Sequence, residues 1–351
     1  MELTDYRIAS MQEIRSRKPN GLRSASLFAG FGGSSLGYKM AGFEVVFALE
    51  FVEAARRAYA LNFPNTPVVS DDIRRIDPIE CLSRFNLAPG QLDVLDGSPP
   101  CASFSTAGKR ERLWGKTKQY SDRVQRTDDL VEVFADWIVA IDPKAFVFEN
   151  VAGIAMGKAS GVLRDFIKRM RSAGFYTESR LVDASRLGVP QARPRVFTIG
   201  VKTSSMRRPF QFPKPQENRP TIADAFGGLD RVEPVEAECW STGYAIEAEW
   251  RKAGEGGKSD KYFSLIRSHR LRPCPTITAM HSQRGAASVM HPTECRKFSI
   301  AELRRLCSFP DDYKAVGDYQ QQAERFGRAV PPLAMKAIAE SVAMALQGDD
   351  K

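Results

Sequence analysis

The 351 residues suffice for one large core plus a smaller lobe, because domains commonly run about 100–200 residues. A 43% hydrophobic and 26% charged composition is that of a soluble globular protein; no apolar run approaches the roughly 18 residues of a membrane span, and the polar N-terminus lacks the apolar core of a signal peptide, so a cytoplasmic location without membrane contact is expected. Six cysteines without C-x-x-C pairing and only three histidines speak against a zinc cage or a disulfide framework, while a net charge of +9 and a pI near 9.3 point to a polyanionic partner.

After an N-terminal extension (1–20), short apolar runs alternate with amphipathic stretches, the pattern of an α/β domain over 21–203 with helices on both faces of a sheet. Ala25–Phe28, Glu44–Leu49, Leu92–Leu95, Ala145–Phe148 and Val196–Val201 read as strands, and Ser35–Met40, Ala54–Leu61, Asp129–Ile141 and Val162–Ser172 as helices. Beyond Lys202 the alternation fails, and 204–292, rich in Pro, Gly, Arg and scattered aromatics, reads as a second, irregular domain. Residues 293–351 read as a return segment: Ser299-Ile-Ala-Glu302 is a capping box, and a last helix starts near Pro331–Pro332 and completes the first domain.

Phe28-Ala-Gly-Phe-Gly-Gly33 follows a predicted strand and opens a helix, so Gly30, Gly32 and Gly33 can bring backbone close to a ligand. Glu50 ends the next strand, where an acid can accept from ribose hydroxyls; Phe51 can stack on an adenine, Asp72 can accept from its amino group, and together with Phe28 they form a cage for the cofactor. Dinucleotide and S-adenosylmethionine sites share these features, but the incomplete G-x-G-x-x-G order tilts against NAD.

Leu92-Asp-Val-Leu-Asp-Gly-Ser-Pro-Pro-Cys101 puts a thiol just past a strand's C-terminal end, on a turn stiffened by two prolines. Ala145-Phe-Val-Phe-Glu-Asn150 ends the next strand with Glu149, and Gln191-Ala-Arg-Pro-Arg195 supplies Arg193 and Arg195, whose i, i+2 spacing directs both to one side of an extended segment. A thiol, a carboxyl and two guanidinium groups beside a nucleoside pocket suit addition of a thiolate to an electron-poor ring. Hydrolysis by a Cys/His pair is disfavoured, since residues 1–268 contain no histidine.

Phe28–Gly33, Pro99-Pro-Cys-Ala-Ser-Phe-Ser105, Glu149-Asn-Val151, Gln191–Arg195, Glu302 with Phe309-Pro-Asp311, and Gly327-Arg-Ala-Val-Pro331 together resemble the ordered motifs of the cytosine-C5 DNA methyltransferases. The resemblance implies a Rossmann-like S-adenosylmethionine-dependent methyltransferase sheet with a small target-recognition domain, acting as a monomer on double-stranded DNA in a bacterial or phage modification system. It implies base flipping, attack of Cys101 on C6, Glu149 on N3, Arg195 on O2, Arg193 positioning a loop or a phosphate, and S-adenosylhomocysteine as the second product. It also adds Ile73, Pro100, Arg328 and Val330 to the cofactor contacts, although the usual Gly-Asn-x-Val-Pro is here Gly-Arg-Ala-Val-Pro, so the asparagine's hydrogen bonds must be replaced.

The same resemblance makes the basic stretch between Ser105 and Leu130, with Lys109, Arg110 and Arg112, a lid over DNA. Around a strand expected at Pro275–Thr278 it nominates Ser268–Arg272 and His281–Gly285 as readers, with Arg270, Arg272, Gln283 and Arg284 reaching bases or phosphates. Methylation of transfer RNA, and a silent family member that binds a partner, are the alternative readings.

Overall fold

The structure, a computed structural model, describes residues 6–100, 118–120, 123–125, 129–157, 159–229, 244–282 and 288–348. Two compact units emerge: a sheet unit of residues 17–182, 194–214 and 335–351, and an irregular unit of residues 1–16, 183–193 and 215–334.

The main sheet of this unit has seven strands, β1 (Arg23–Leu27), β2 (Glu44–Leu49), β3 (Val68–Val69), β4 (Val94–Gly97), β5 (Ala145–Val151), β6 (Phe175–Asp183) and β7 (Pro194–Lys202), in the order β3-β2-β1-β4-β5-β7-β6. β3, β2, β1, β4 and β5 pair in parallel and β7 runs antiparallel to β5. Their helices include α1 (Gly33–Met40), α2 (Glu53–Asn62), α3 (Leu130–Ile141) and α4 (Ala159–Ser172). β2 and β5 read as near-continuous apolar runs because a parallel sheet is covered on both faces.

One face packs Leu27, Leu95, Phe146 and Phe148 against Phe134, Trp137 and Ile141 of α3 and Phe166 and Met170 of α4. Phe134 stacks on Phe148 and Phe166 at 6.0 and 6.3 Å, which accounts for the glycine that closes β4: a Cβ on Gly97 would lie 2.4 Å from the Phe134 ring. The opposite face of β1 and β4 is polar and yet buried, with Ser24, Ser26 and Asp96 on the strands and Ser34, Ser35 and Tyr38 on α1. Tyr59 of α2 donates to Ser35 Oγ at 2.9 Å, tying the two helices together.

In the irregular unit, two-residue strands replace long ones: Gln191–Ala192 pairs with Cys274–Pro275, and Ile266–Arg267 with Val289–Met290. Its helices include α5 (Tyr244–Ala253), α6 (Ile300–Leu306), α7 (Tyr319–Arg328) and the first residues of α8 (Pro332–Gln347). The capping box at Ser299 and Glu302 is present, and the Glu302 carboxylate also takes both terminal nitrogens of buried Arg296 at 2.7 and 2.6 Å. Phe298 gathers Phe226, His281 and His291 around it at 5.9–6.1 Å.

Several expected boundaries move. β1 stops at Leu27 rather than Phe28, because Phe28 turns into the left-handed region (φ 56°), and β4 runs over Val94–Gly97 rather than Leu92–Leu95. The strand expected at Pro275–Thr278 is only Cys274–Pro275, since the chain pairs there with two residues. Residues 204–214 belong to the sheet unit, where Arg207 N donates to Ala345 O at 2.8 Å, while the return segment joins the sheet unit only from Met335. Residues Tyr319–Gln347 contain a window apolar enough to cross a bilayer, contrary to the reading of the linear sequence; 67% of it is buried inside the protein, as in a core helix.

Candidate active site

The glycine turn after β1 is shaped by three positive φ angles, at Phe28 (56°), Gly30 (56°) and Gly32 (102°), and Gly32 then caps α1. Gly30 N donates to Glu50 Oε2 and Val52 N to Glu50 Oε1, each at 2.7 Å, so one carboxylate joins the ends of β1 and β2. Burial pushes the Glu50 carboxyl up, and the amides of Val52, Gly30 and Phe51 hold it back. The three amides leave the carboxylate a spare lone pair, and a Cβ on Gly30 would meet nothing within 4 Å, so the turn leaves an open cradle of backbone and carboxylate. A nucleoside fits such a donor set.

Ile73 is buried in the core beneath this edge, and Phe51 is half-buried beside Glu50. Asp72 caps the short helix Ile73–Arg75 through Arg74 N at 3.1 Å and pairs with the Arg74 guanidinium at 3.2 Å. An adenine amino group would share this carboxylate with Arg74.

At the end of β5, Asn150 Nδ2 donates to Pro99 O at 3.3 Å and fastens the Pro-Pro segment, with Pro100 half-buried, to the neighbouring strand. Glu149, on the same strand end, receives Arg195 Nε at 3.0 Å; both side chains are largely buried. The pair is a diagonal cross-strand neighbour: Phe197 lies opposite Glu149, and Arg195 is two residues along on the same face. Burial pulls the Arg195 guanidinium down, and the charge and hydrogen bond of Glu149 offset part of that fall.

Arg193 departs from expectation. Rather than standing beside Arg195 at one edge, it belongs to the irregular unit, where its guanidinium is 2% exposed and donates to Ile277 O (2.7 Å), Gly327 O (2.9 Å) and Ala329 O (3.0 Å). These contacts are with loop carbonyls, in keeping with the loop rather than the phosphate that the motif resemblance also offered. Gly327 must be glycine here, because a Cβ would sit 2.4 Å from the carbonyl carbon of Thr278. The following Arg328 pairs with Glu324 at 2.8 Å, and Val330 is buried, both within the irregular unit.

Of the nominated readers, Arg270 and Arg272 are exposed, on a turn whose carbonyls receive Ala223 N and Ile222 N at 2.8 and 3.1 Å. Ser268 and His281 are buried, and Lys297 Nζ holds the His281 carbonyl at 2.9 Å, so neither presents a side chain to a partner. Cys101, Ser105, Lys109, Arg110, Arg112, Gln283 and Arg284 lie outside the described residues. Burial pushes the thiols of Cys81 and Cys307 up to about 11 and that of Cys274 well above its ordinary value, so these three are poor nucleophiles.

Residues 22–344 match the family model described as C-5 cytosine-specific DNA methylase. The chain belongs to the C-5 cytosine-specific DNA methylase family. It is a DNA (cytosine-5-)-methyltransferase related to bacterial modification enzymes, in a family that uses S-adenosylmethionine as methyl donor. It is 30% identical over 335 residues to the type II methyltransferase M1.HphI of Haemophilus parahaemolyticus (90% of this chain, 85% of that one). It is 28% identical over 380 residues to M.DdeI of Desulfomicrobium norvegicum (90% and 87%). The fold is that of a solved DNA modification methyltransferase encoded within a prophage (E. coli), with TM-score 0.73, 22% identity, and 93% and 99% of the two chains covered. Spodoptera frugiperda DNMT2 shares it at TM-score 0.68 and 18% identity, over 92% and 99%.

Three residues of this methylase were not singled out from sequence. Asn150 and Gln191 were quoted only inside motifs; Gln191 is fully buried and its Oε1 accepts Ile277 N at 3.2 Å. Asp96 is 1% exposed on the polar face of β4, with Ser26 Oγ donating to Oδ2 at 2.9 Å. Strand alternation is the signal for Asp96: Leu95 enters the apolar core, so its neighbour must enter the other face.

Proposed function

We propose that this methylase transfers a methyl group from S-adenosylmethionine to carbon 5 of a cytosine flipped out of a specific sequence in double-stranded DNA, with Cys101 as nucleophile. The observation that carries this reading is the Glu149–Arg195 pair at 3.0 Å on the strand next to the Pro99–Pro100 segment, which Asn150 fastens directly before Cys101. Gly30, Gly32, Gly33, Glu50, Phe51, Asp72, Ile73 and Pro100 would hold the cofactor, which supplies an electrophilic methyl group; the same assignment for Arg328 and Val330 rests on the motif resemblance.

Cys101 thiolate adds to C6 of the ring, which places electron density on C5. Glu149 gives a hydrogen bond or a proton to N3, so the ring can accept the thiolate's electrons, and Arg195 holds O2 as its charge grows. After methylation, loss of the C5 proton and expulsion of Cys101 restore the aromatic ring. Arg193 orders the backbone around Ile277 and Gly327, and Arg270 and Arg272 face the DNA. The names of the relatives support a place in a bacterial or phage modification system; a cytoplasmic monomer is part of the proposal and rests on composition and the motif resemblance alone.

Incubation with methyl-labelled S-adenosylmethionine and either duplex DNA or transfer RNA tests the reading. Label on DNA from the wild type, none from Cys101→Ser, and a covalent adduct with DNA carrying 5-fluorocytosine are expected. Label on RNA alone favours the alternative substrate, and no adduct rejects Cys101.

A further inference from the structure

We propose that Asp96 is a positioning residue for Glu149, a second buried carboxyl group that shares its proton and charge balance with Glu149 and Arg195 and so sets the pH range over which Glu149 can serve a bound pyrimidine. The inference rests on the role given to Glu149 above.

β4 and β5 pair in parallel with Asp96 opposite Val147, and Glu149 lies two residues further along. Asp96, Val147 and Glu149 therefore share one face of the sheet, while Phe146 and Phe148 enter the apolar core on the other. On that face Asp96 is met by Ser26 from β1, Ser34 and Tyr38 from α1, Tyr59 from α2 and Glu149 from β5. None of these groups is a cation. Oδ2 takes the Ser26 hydroxyl, and Oδ1 has no hydrogen-bond partner among the described residues.

Arg195 supplies one positive charge and is spent on Glu149 at 3.0 Å. Counted over these three described groups, two ionised carboxylates and one guanidinium carry a net negative charge in a buried place, and one added proton makes the three neutral. Burial drives the Asp96 carboxyl up to about 7, the hydroxyls of Ser26 and Ser34 oppose it, and the Glu149 charge adds to it. Because the repulsion is mutual, ionised Asp96 favours a proton on Glu149. A carboxyl group that only tied the sheet to α1 would alter stability and leave the protonation of Glu149 untouched.

The test titrates the carboxyl carbons of carbon-13 aspartate-labelled full-length protein by NMR, in the wild type and in Glu149→Gln. The Asp96 midpoint is expected to fall by about one pH unit when the Glu149 charge is removed. In parallel, single-turnover methylation is followed against pH for the wild type and Asp96→Asn, with S-adenosylhomocysteine affinity and melting temperature as controls. Without the Asp96 charge Glu149 gives up its proton more readily, so the alkaline limb should move to lower pH by about one unit. An Asp96 midpoint that ignores Glu149→Gln, or superimposable profiles from two folded proteins, overturns the proposal. If Asp96→Asn does not fold, Ser26→Ala, which keeps the proton on Asp96 to higher pH, should instead move the alkaline limb to lower pH, and an unmoved limb overturns the proposal. A wild type that methylates nothing would reject the functional reading, while the NMR titration would still decide the coupling.

Discussion

Glu149 and Arg195 concentrate the chemistry in one ion pair at a strand end, and the residue-scale predictions start there. Glu149→Gln should lower the methylation rate by about 10²–10⁴-fold, the usual contribution of a positioned acid, with S-adenosylmethionine affinity by calorimetry unchanged. Gly97→Ala drives a methyl group into the Phe134 ring, 2.4 Å away, and should cost roughly 1–3 kcal/mol in a denaturant melt. Asp96 makes a pH-dependent prediction. Its folded carboxyl titrates near 7, above the ordinary 3.8, so between these values the folded state keeps a proton that the unfolded chain releases. Stability is lost as the pH rises through that range, and Asp96→Asn should melt higher than the wild type at about pH 8 and lose that advantage at about pH 4. From sequence, Glu149, Arg195 and Glu50 were legible because each borders an apolar run, Glu149 and Glu50 at its end and Arg195 at its start. Arg193 was misread: two residues of spacing reveals the side of a strand only while both arginines stay in one strand, and the chain passes from one unit to the other between them.

At the scale of elements, the turns decide more than the strands. β1 ends where Phe28 goes left-handed, and Glu50 then gathers Gly30 N and Val52 N so that two strand ends present one edge. In the irregular unit, the segment after α7 is held by Arg193, which gathers the carbonyls of Ile277, Gly327 and Ala329. Gly327→Ala would push a methyl group to 2.4 Å from the Thr278 carbonyl carbon, which is backbone and has no rotamer to escape into. A loss of about 3 kcal/mol, read by thermal melting, is expected. Helices with strong amphipathic patterns were legible to within a few residues. The two-residue strands were not, because so short a pairing leaves no periodicity to detect.

For the whole molecule, the net charge of +9 makes duplex binding a salt-dependent process, with log K falling by about 0.9 per phosphate contact for each tenfold rise in salt. Replacing Arg270 and Arg272 by alanine should reduce that slope by about two if both touch phosphate, and relax sequence preference at nearly constant slope if both touch bases. Acid should weaken the irregular unit. His281 and His291 are held neutral by burial, with values lowered to about 3 and about 4 from an ordinary 6.5. Depressed folded values mean that stability present above 6.5 is lost as the pH falls towards them, and limited proteolysis between these limits should cut this unit first.

The linear sequence by itself determined the reaction class, the α/β pattern and the strand-end positions of Glu50, Glu149 and Arg195, because motif order, hydrophobic period and glycine turns are properties of neighbouring residues. Only the tertiary structure decided that Arg193 is a buried clamp, that residues 183–193 join the irregular unit, and that Asp96 shares a buried face with Glu149. Those outcomes depend on which distant segments bring carbonyls, charges and apolar surface together, and no local spacing records that choice.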